Sequence, residues 1–427
     1  MTAILHVVVT GGAGQIAYSL IPLIARGAVF GPQARVNLRL LDIPPSAKAL
    51  EGVAMEAQDS LYSTMLDGLV ATTDEAKAFD GAQVAILLGG FPRRPGMERG
   101  DLIGKNAGIM KRMGEALERY ASRNCKVVLV ANPAPTNCIV LAAHATSIPR
   151  KNISCLSRLD HDRMTGMLLH EANRCLNSAG GGNARRRASL GPADIRGVCV
   201  WGNHSNSQVP DASGVEFRVD GRWTPVSSVI RDTAWLNLSG SGHERLDADG
   251  EVVLGLTESV RGRGAAVLGA RKLSSAMSAA NAIAGHLADW LVAPVKAASG
   301  SGSVSAVSPS SGRVAVVSMG VASDGNPFGV PEGLFCSFPV RCSGNGEWAF
   351  DEGFLLKEEA GHQLSLSVEE LQEEKAMVVE ALGDDALAPS PASSSSLPPA
   401  PPARKSKSKT SAANGGVSNG TPPVSSL

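Results

Sequence analysis

Two short stretches of this chain carry residue types that together can move a proton while gripping an anion. Arg158-Leu159-Asp160-His161-Asp162-Arg163 and Trp201-Gly202-Asn203-His204-Ser205 offer an arginine, an acid and a histidine to one site. Asp160 and Arg163 are three apart at a helix start, which puts both on one face. Arg163 can fork onto a carboxylate with two parallel N–H donors, and Asp160 can orient an imidazole and pair with its charge. His204 follows the apolar run Val198 to Trp201, and its small and polar neighbours leave the ring accessible. A surface ion pair is the common alternative for Asp160 and Arg163, and a lone histidine is more often structural. The other seven histidines have no comparable setting, and His161 should point away from the face of Asp160.

A second set of residues suits a nucleotide. Thr10-Gly11-Gly12-Ala13-Gly14-Gln15-Ile16-Ala17 directly follows an apolar run and opens a helix-like segment. Gly11 permits a tight turn, Gly14 lets backbone approach a pyrophosphate, and Ala17 allows close helix packing. An ordinary strand-to-helix turn has similar residues. Asp42, closing the apolar run Leu40-Leu41, stands about where an acid binds both ribose hydroxyls and repels a 2′-phosphate, which favours NAD over NADP. A turn or cap aspartate is its alternative. Gly90-Phe91-Pro92-Arg93-Arg94-Pro95-Gly96-Met97-Glu98-Arg99 reads as a mobile loop with three fixed cations, placed where ligands of open sheets bind. Asn132, in Val130-Ala131-Asn132-Pro133, can contact a nicotinamide ribose and a substrate, or simply form a turn.

These side chains need elements to position them. Ile4 to Val9, Val36 to Leu41, Val84 to Leu88 and Val127 to Val130 are short Val/Ile/Leu runs, as expected of parallel strands buried on both faces. Between them Gln15 to Ala25, Ala47 to Ser60 and Asn106 to Ser122 read as helices, giving an α/β, Rossmann-type doubly wound parallel sheet. Beyond it the pattern predicts an α+β domain. It comprises a strand at Ile153 to Leu156, a helix from Asp160 to Leu176 and hairpin pieces around Val215 to Pro225. Two long helices follow, one after Glu251 and one from Ser274 to Leu291, then strands near Val314 to Met319 and Leu334 to Val340. Ser367-Val368-Glu369-Glu370 has the pattern of a capping box opening a last helix to Leu382. The expected organisation is therefore a nucleotide-binding domain over 1–152 and a substrate domain over 153–382. Surface insertions are expected at about 178–192 and 297–312, and a disordered Pro/Ser/Ala-rich tail over 383–427.

Composition narrows the partners. The 427 residues carry a formal net charge of zero, so no global field draws the protein to nucleic acid or anionic membrane. No apolar stretch is long enough to span a bilayer, and the first apolar run is too short for a signal peptide. Seven scattered cysteines, without C-x-x-C spacing, read as reduced core thiols rather than a metal site, so no metal is expected.

Taken together, the segments GQIAYSL, GMER, NPAPTN, RLDHDR, WGNHSNSQVPD, ARKLSSAMSAA and SMGV resemble the malate dehydrogenases of the cytosolic and chloroplast-type branch. The likeness covers nearly the whole chain to Leu382, insertions aside. It implies His204 as proton acceptor from malate, Asp160 as the support of its imidazolium, and Arg163 as the grip on the C1 carboxylate. It further implies Arg93 and Arg99, on a closing loop, for the distal carboxylate and carbonyl, with Asn106 and Asn132 as further ligand contacts. Gly11, Gly14, Gln15, Ile16 and Asp42 would hold NAD. Asp42 and the lack of a cysteine after Cys342 resemble the NAD-using, redox-insensitive form, although Gly12 replaces an alanine and Met113 a glutamine near the cofactor. The resemblance also implies a homodimer formed through Ala47 to Ser60 and the segment from Asp160. Cytoplasmic residence is expected, with a peroxisomal alternative in the weak C-terminal address Ser425-Ser426-Leu427. Arg186-Arg187-Ala188-Ser189 matches a basophilic kinase site, as short motifs often do by chance. A lactate dehydrogenase and a non-enzymatic scaffold are the competing functions.

Overall fold

Four apolar runs become parallel strands because each is bracketed by turn-forming residues and can be covered on both faces. The computed structural model describes residues 3–92, 97–178, 189–237, 244–246, 252–292 and 315–387. Strands Ile4–Thr10 (β1), Arg35–Leu41 (β2), Gly68–Thr72 (β3), Val84–Leu87 (β4), Lys126–Leu129 (β5) and Ile153–Cys155 (β6) pair in parallel in the order β3-β2-β1-β4-β5-β6. This is the doubly wound order whose crevice opens at the carboxyl ends of β1 and β4. The sheet does not stop there. Ala315–Ala322 (β7) pairs antiparallel with β6, and Phe335–Cys342 (β8) and Trp348–Phe350 (β9) continue it, so nine strands form one sheet among the described residues.

The principal helices are Gln15–Ala25 (α1), Ala47–Asp59 (α2), Arg99–Tyr120 (α3), Ala134–His144 (α4), Arg158–Ser178 (α5), Leu256–Arg271 (α6), Met277–Leu291 (α7) and Glu358–Leu382 (α8). The apolar side chains separate into two cores. One surrounds the large sheet; the other, with Met164, Leu168, Phe217, Trp235 and Val260, lies under α5, α6 and the small strands Glu216–Val219 and Arg222–Pro225. No helix among the described residues is long and apolar enough to cross a membrane. The seven cysteines are all free and all but Cys175 are buried; burial pushes the Cys125 thiol up to about 12.

Three expectations need correction. The segment Arg99 to Lys105 is helix, not loop: α3 begins at Arg99, after Glu98 in extended backbone, with Asp101 in its first turn where an acid complements the helix dipole. Ser367 does not cap a helix, because α8 already starts at Glu358 and Ser367 is fully buried in its middle. Packing has claimed both ends of that motif, as described below. The compact chain also runs past Leu382: Asp384–Leu387 forms a turn, with Ala386 1% exposed and its carbonyl 3.1 Å from His144 Nε2. Arg93, Arg94, most of the first insertion, all of the second, the kinase-like Arg186-Arg187-Ala188 and the tail from 388 lie outside the described residues.

Candidate active site

His204 stands three residues after the strand Cys199–Trp201, and two contacts fix where its loop leaves that strand. Trp201 is fully buried, edge-on to Phe328 and Phe354 at 4.8 and 5.6 Å. Gly202 exchanges backbone hydrogen bonds with Ser337 of β8, at φ +86°, where a side chain would be strained and would run into Ser367.

Asp160 and Arg163 come from the first two turns of α5. Arg158, 6% exposed, seats them by pairing with Asp162 and with Asp289 of α7. His161 turns away, as its position implies, with Nδ1 3.0 Å from Ser318 Oγ; burial, then Arg158, pushes its pKa down to about 3.

The structure brings the three expected groups together. His204 Nδ1 lies 2.5 Å from Asp160 Oδ2, and Arg163 Nη1 donates to Asp160 Oδ1 at 2.9 Å. Asp160 is 1% exposed, whereas His204 keeps a fifth of its side chain accessible. Burial opposes the charge on Asp160, but His204 and Arg163 together hold its carboxyl below the usual range. Asp160's charge in turn raises the imidazole above its ordinary 6.5, against the pull of burial. Since Nδ1 faces a carboxylate, it carries the proton of the neutral ring, and Nε2 is the nitrogen left to act as base. Arg163 also donates to Ser275 Oγ at 3.4 Å, from the ARKLSSAMSAA segment to which no role was given.

The residues expected to hold a nucleotide gather at the carboxyl ends of β1 and β2, with Gly11 against Gly89 after β4. Gly11 has φ +65°, and a Cβ there would sit 3.1 Å from Gly89 N. Gly14 accepts the first turn of α1 with no side-chain cap, and Gln15 and Ile16 begin that helix, so its N–H groups face outward for an anion. Asp42 is bound into this loop: its carboxylate accepts from Ala13 N at 2.9 Å and Ile43 N at 2.8 Å. A bulkier Gly12 would press on Leu40 and Leu50, each 2.9 Å from an added Cβ. Met113 is 7% exposed within the large core.

Three further expected ligand residues have the following settings. Asn106 is fully buried and spends its amide on Phe91 N and O and Asn132 O, bracing the loops after β4 and β5. Asn132 itself is exposed, three residues beyond the end of β5. Arg99 Nη2 donates to Glu370 Oε1 at 2.6 Å and also pairs with Glu374, so it is engaged within the protein. Glu370 further accepts from Asn203 Nδ2 at 2.9 Å and from the hydroxyls of Ser205 and Ser207. Burial opposes its charge, yet those hydroxyls, Arg99 and Asn203 hold its pKa below the ordinary value. The i,i+3 motif that looked like a helix cap contained this contact: Ser367 Oγ accepts Asn203 N–H at 2.7 Å. Among the described residues, no cluster of three or more His, Cys, Asp or Glu could hold a metal.

Comparison with known proteins identifies the family. Residues 5–154 match the lactate/malate dehydrogenase NAD-binding domain, and residues 187–382 match the lactate/malate dehydrogenase α/β C-terminal domain. Malate dehydrogenase 1, cytoplasmic, of Arabidopsis thaliana is 42% identical over 370 residues, 87% of this chain and 96% of that protein. The crystal structure of malate dehydrogenase from Naegleria fowleri superposes with a TM-score of 0.72 at 36% identity, covering 90% of this chain and 100% of that one. A Trichomonas vaginalis lactate dehydrogenase in complex with NADH and oxamate gives 0.71 at 31% identity, over 88% of this chain and 99% of its own.

Proposed function

The chain belongs to the lactate/malate dehydrogenase family, and from that premise we propose that it is an NAD-dependent malate dehydrogenase, interconverting (S)-malate and oxaloacetate. The observation that carries the chemistry is the single buried carboxylate of Asp160, shared between His204 Nδ1 and Arg163.

His204 Nε2 accepts the hydroxyl proton of malate, and Asp160 stabilises the resulting imidazolium. In the reverse direction the imidazolium donates to the carbonyl oxygen of oxaloacetate. Arg163 holds the C1 carboxylate, Arg93 and Arg99 serve the distal carboxylate and the carbonyl, and Asn132 contacts substrate and nicotinamide ribose. The residues present fit the cofactor: a Cβ at Gly11 would press on Gly89 and one at Gly14 on the Gly11 carbonyl, so the tight turn needs both glycines, and α1 presents uncapped N–H groups to a pyrophosphate. When bound, NAD supplies the hydride acceptor for C2. Gly11, Gly14, Gln15 and Ile16 hold its phosphates, and Asp42 holds the ribose hydroxyls and disfavours a 2′-phosphate. Asn106 supports this site by bracing its loops. In this division, residues 1–152 bind nucleotide and 153–382 bind substrate, with Asp384–Leu387 packed on the same body.

Malate is preferred to lactate because a second carboxylate needs its own cation. A buried, unpaired carboxylate costs several kcal/mol, and Arg93 supplies the pairing that a neutral side chain would not. Oxaloacetate with NADH is therefore expected to turn over far faster than pyruvate with NADH or oxaloacetate with NADPH. Comparable rates with pyruvate would refute the assignment.

The relatives named cytoplasmic support cytoplasmic residence. A fusion leaving Leu427 free and one blocking it should distribute alike; peroxisomal import of the free form alone would revise this. The assembly is a homodimer that uses α2, where Met55 is 53% exposed.

A further inference from the structure

Glu370 and Glu374 lie one turn apart on α8, point inward and take no part in the proton or hydride transfer described above. Glu374 is 2% exposed. The two carboxylates meet the site from two directions. Toward the His204 loop, Glu370 Oε2 accepts from Asn203 Nδ2, Ser205 Oγ and Ser207 Oγ, and Asn203 Nδ2 also reaches Glu374 Oε1 at 3.3 Å. Toward the opposite wall, Glu370 Oε1 and Glu374 Oε1 both receive Arg99 Nη2, and Glu374 Oε2 accepts from Thr136 Oγ1 of α4. Arg99 thus spends one nitrogen of its fork on the protein, leaving the Nη1 and Nε N–H groups for a further anion.

We propose that Glu370 and Glu374 are positioning residues that hold the His204 loop and the Arg99 guanidinium in one frame, so that proton donor and substrate cation keep a fixed separation. Sequence distance hides this frame, since Arg99 and Glu370 are 271 residues apart. Glu370 is the informative half because a glutamine cannot replace it. Turning the amide oxygen to the loop sets an NH2 group against Arg99; turning it to Arg99 sets NH2 against the Asn203 amide. A carboxylate alone accepts on both sides.

The proposal rests on the roles given to His204 and Arg99, and the test separates the two. Oxaloacetate reduction by NADH is measured for the full chain, Glu370→Gln, Arg99→Ala and the double variant, with NADH Kd and Tm alongside. Glu370→Gln is expected to lower kcat/KM by roughly tenfold to a hundredfold, as small misplacements of reacting groups do, with NADH Kd unchanged. In the Arg99→Ala background the glutamine can turn its oxygen to the loop, so the further loss should be less than about twofold. An equal loss in both backgrounds, or none in either, overturns the proposal, whereas an unmodified chain inert toward oxaloacetate overturns the functional assignment instead. Should Glu370→Gln fail to fold, Ser205→Ala with Ser207→Ala removes two donors to the same oxygen. That pair is expected to lower kcat with the oxaloacetate KM unchanged, and an unchanged kcat overturns the proposal.

Discussion

At the scale of single residues, the site works by giving one buried carboxylate two partners. Asp160 fixes the imidazole tautomer through His204 Nδ1 and keeps Arg163 facing the same space. His204→Asn keeps the size and loses the base, so oxaloacetate turnover should fall about 10²- to 10⁴-fold with NADH Kd unchanged. Weaker NADH binding in that variant would show that the histidine supports the nucleotide site instead. The sign of the pH dependence follows from the raised His204 pKa. Oxaloacetate reduction uses the imidazolium, so kcat/KM should be flat in acid and fall as pH rises through a midpoint above the ordinary 6.5. Malate oxidation uses the neutral ring and should rise through the same midpoint. Asp160→Asn removes the main cause of the shift, and the midpoint should move toward acid; pH profiles with an unmoved midpoint would remove Asp160 from that role. Asp42 offers a parallel check in NADH affinity: Asp42→Ala orphans Ala13 N and Ile43 N, and NADH Kd should rise while discrimination against NADPH shrinks.

At the scale of elements, what was legible in the sequence is what local periodicity encodes. β4 and the stretches Val7 to Val9 of β1 and Val127 to Leu129 of β5 are unbroken apolar runs because they are covered on both faces, and Asp160 and Arg163 share a face because three residues make nearly one helical turn. β3 escaped because Gly-Leu-Val-Ala-Thr lies at the sheet edge, half covered, and carries no core stripe. Arg99 was read as loop because prolines and glycines precede it, and Ser367 as a cap because its spacing to Glu370 fits one. In both cases a tertiary partner far away in sequence decides the geometry, and no window of neighbours contains it. The packing of α8 against the His204 loop gives a measurable consequence. Gly202→Ala adds a Cβ 2.9 Å from Ser367 Cβ at a positive φ, and should cost about 1–3 kcal/mol in denaturant unfolding. A variant as stable as the parent would mean that the helix can shift to make room.

At the scale of the whole molecule, the apolar side chains left outside indicate a further contact. Met55 on α2, Tyr18 on α1 and Met277 on α7 are 53%, 50% and 78% exposed. Light scattering at micromolar concentration should give twice the chain mass of 44.0 kDa, and a single-chain mass would count against the homodimer. The nine-stranded sheet has a consequence of another kind. The strand β6 hydrogen-bonds to β5, which carries the nucleotide half, and to β7, which begins the run of strands closing the chain. A seam between halves would let them melt separately, but here the seam is itself a paired strand, with Ile153 and Ser154 fully buried. Removing either flank exposes the same ladder. Heating should therefore give one cooperative calorimetric transition, with the β5–β6–β7 amides the last to exchange with solvent.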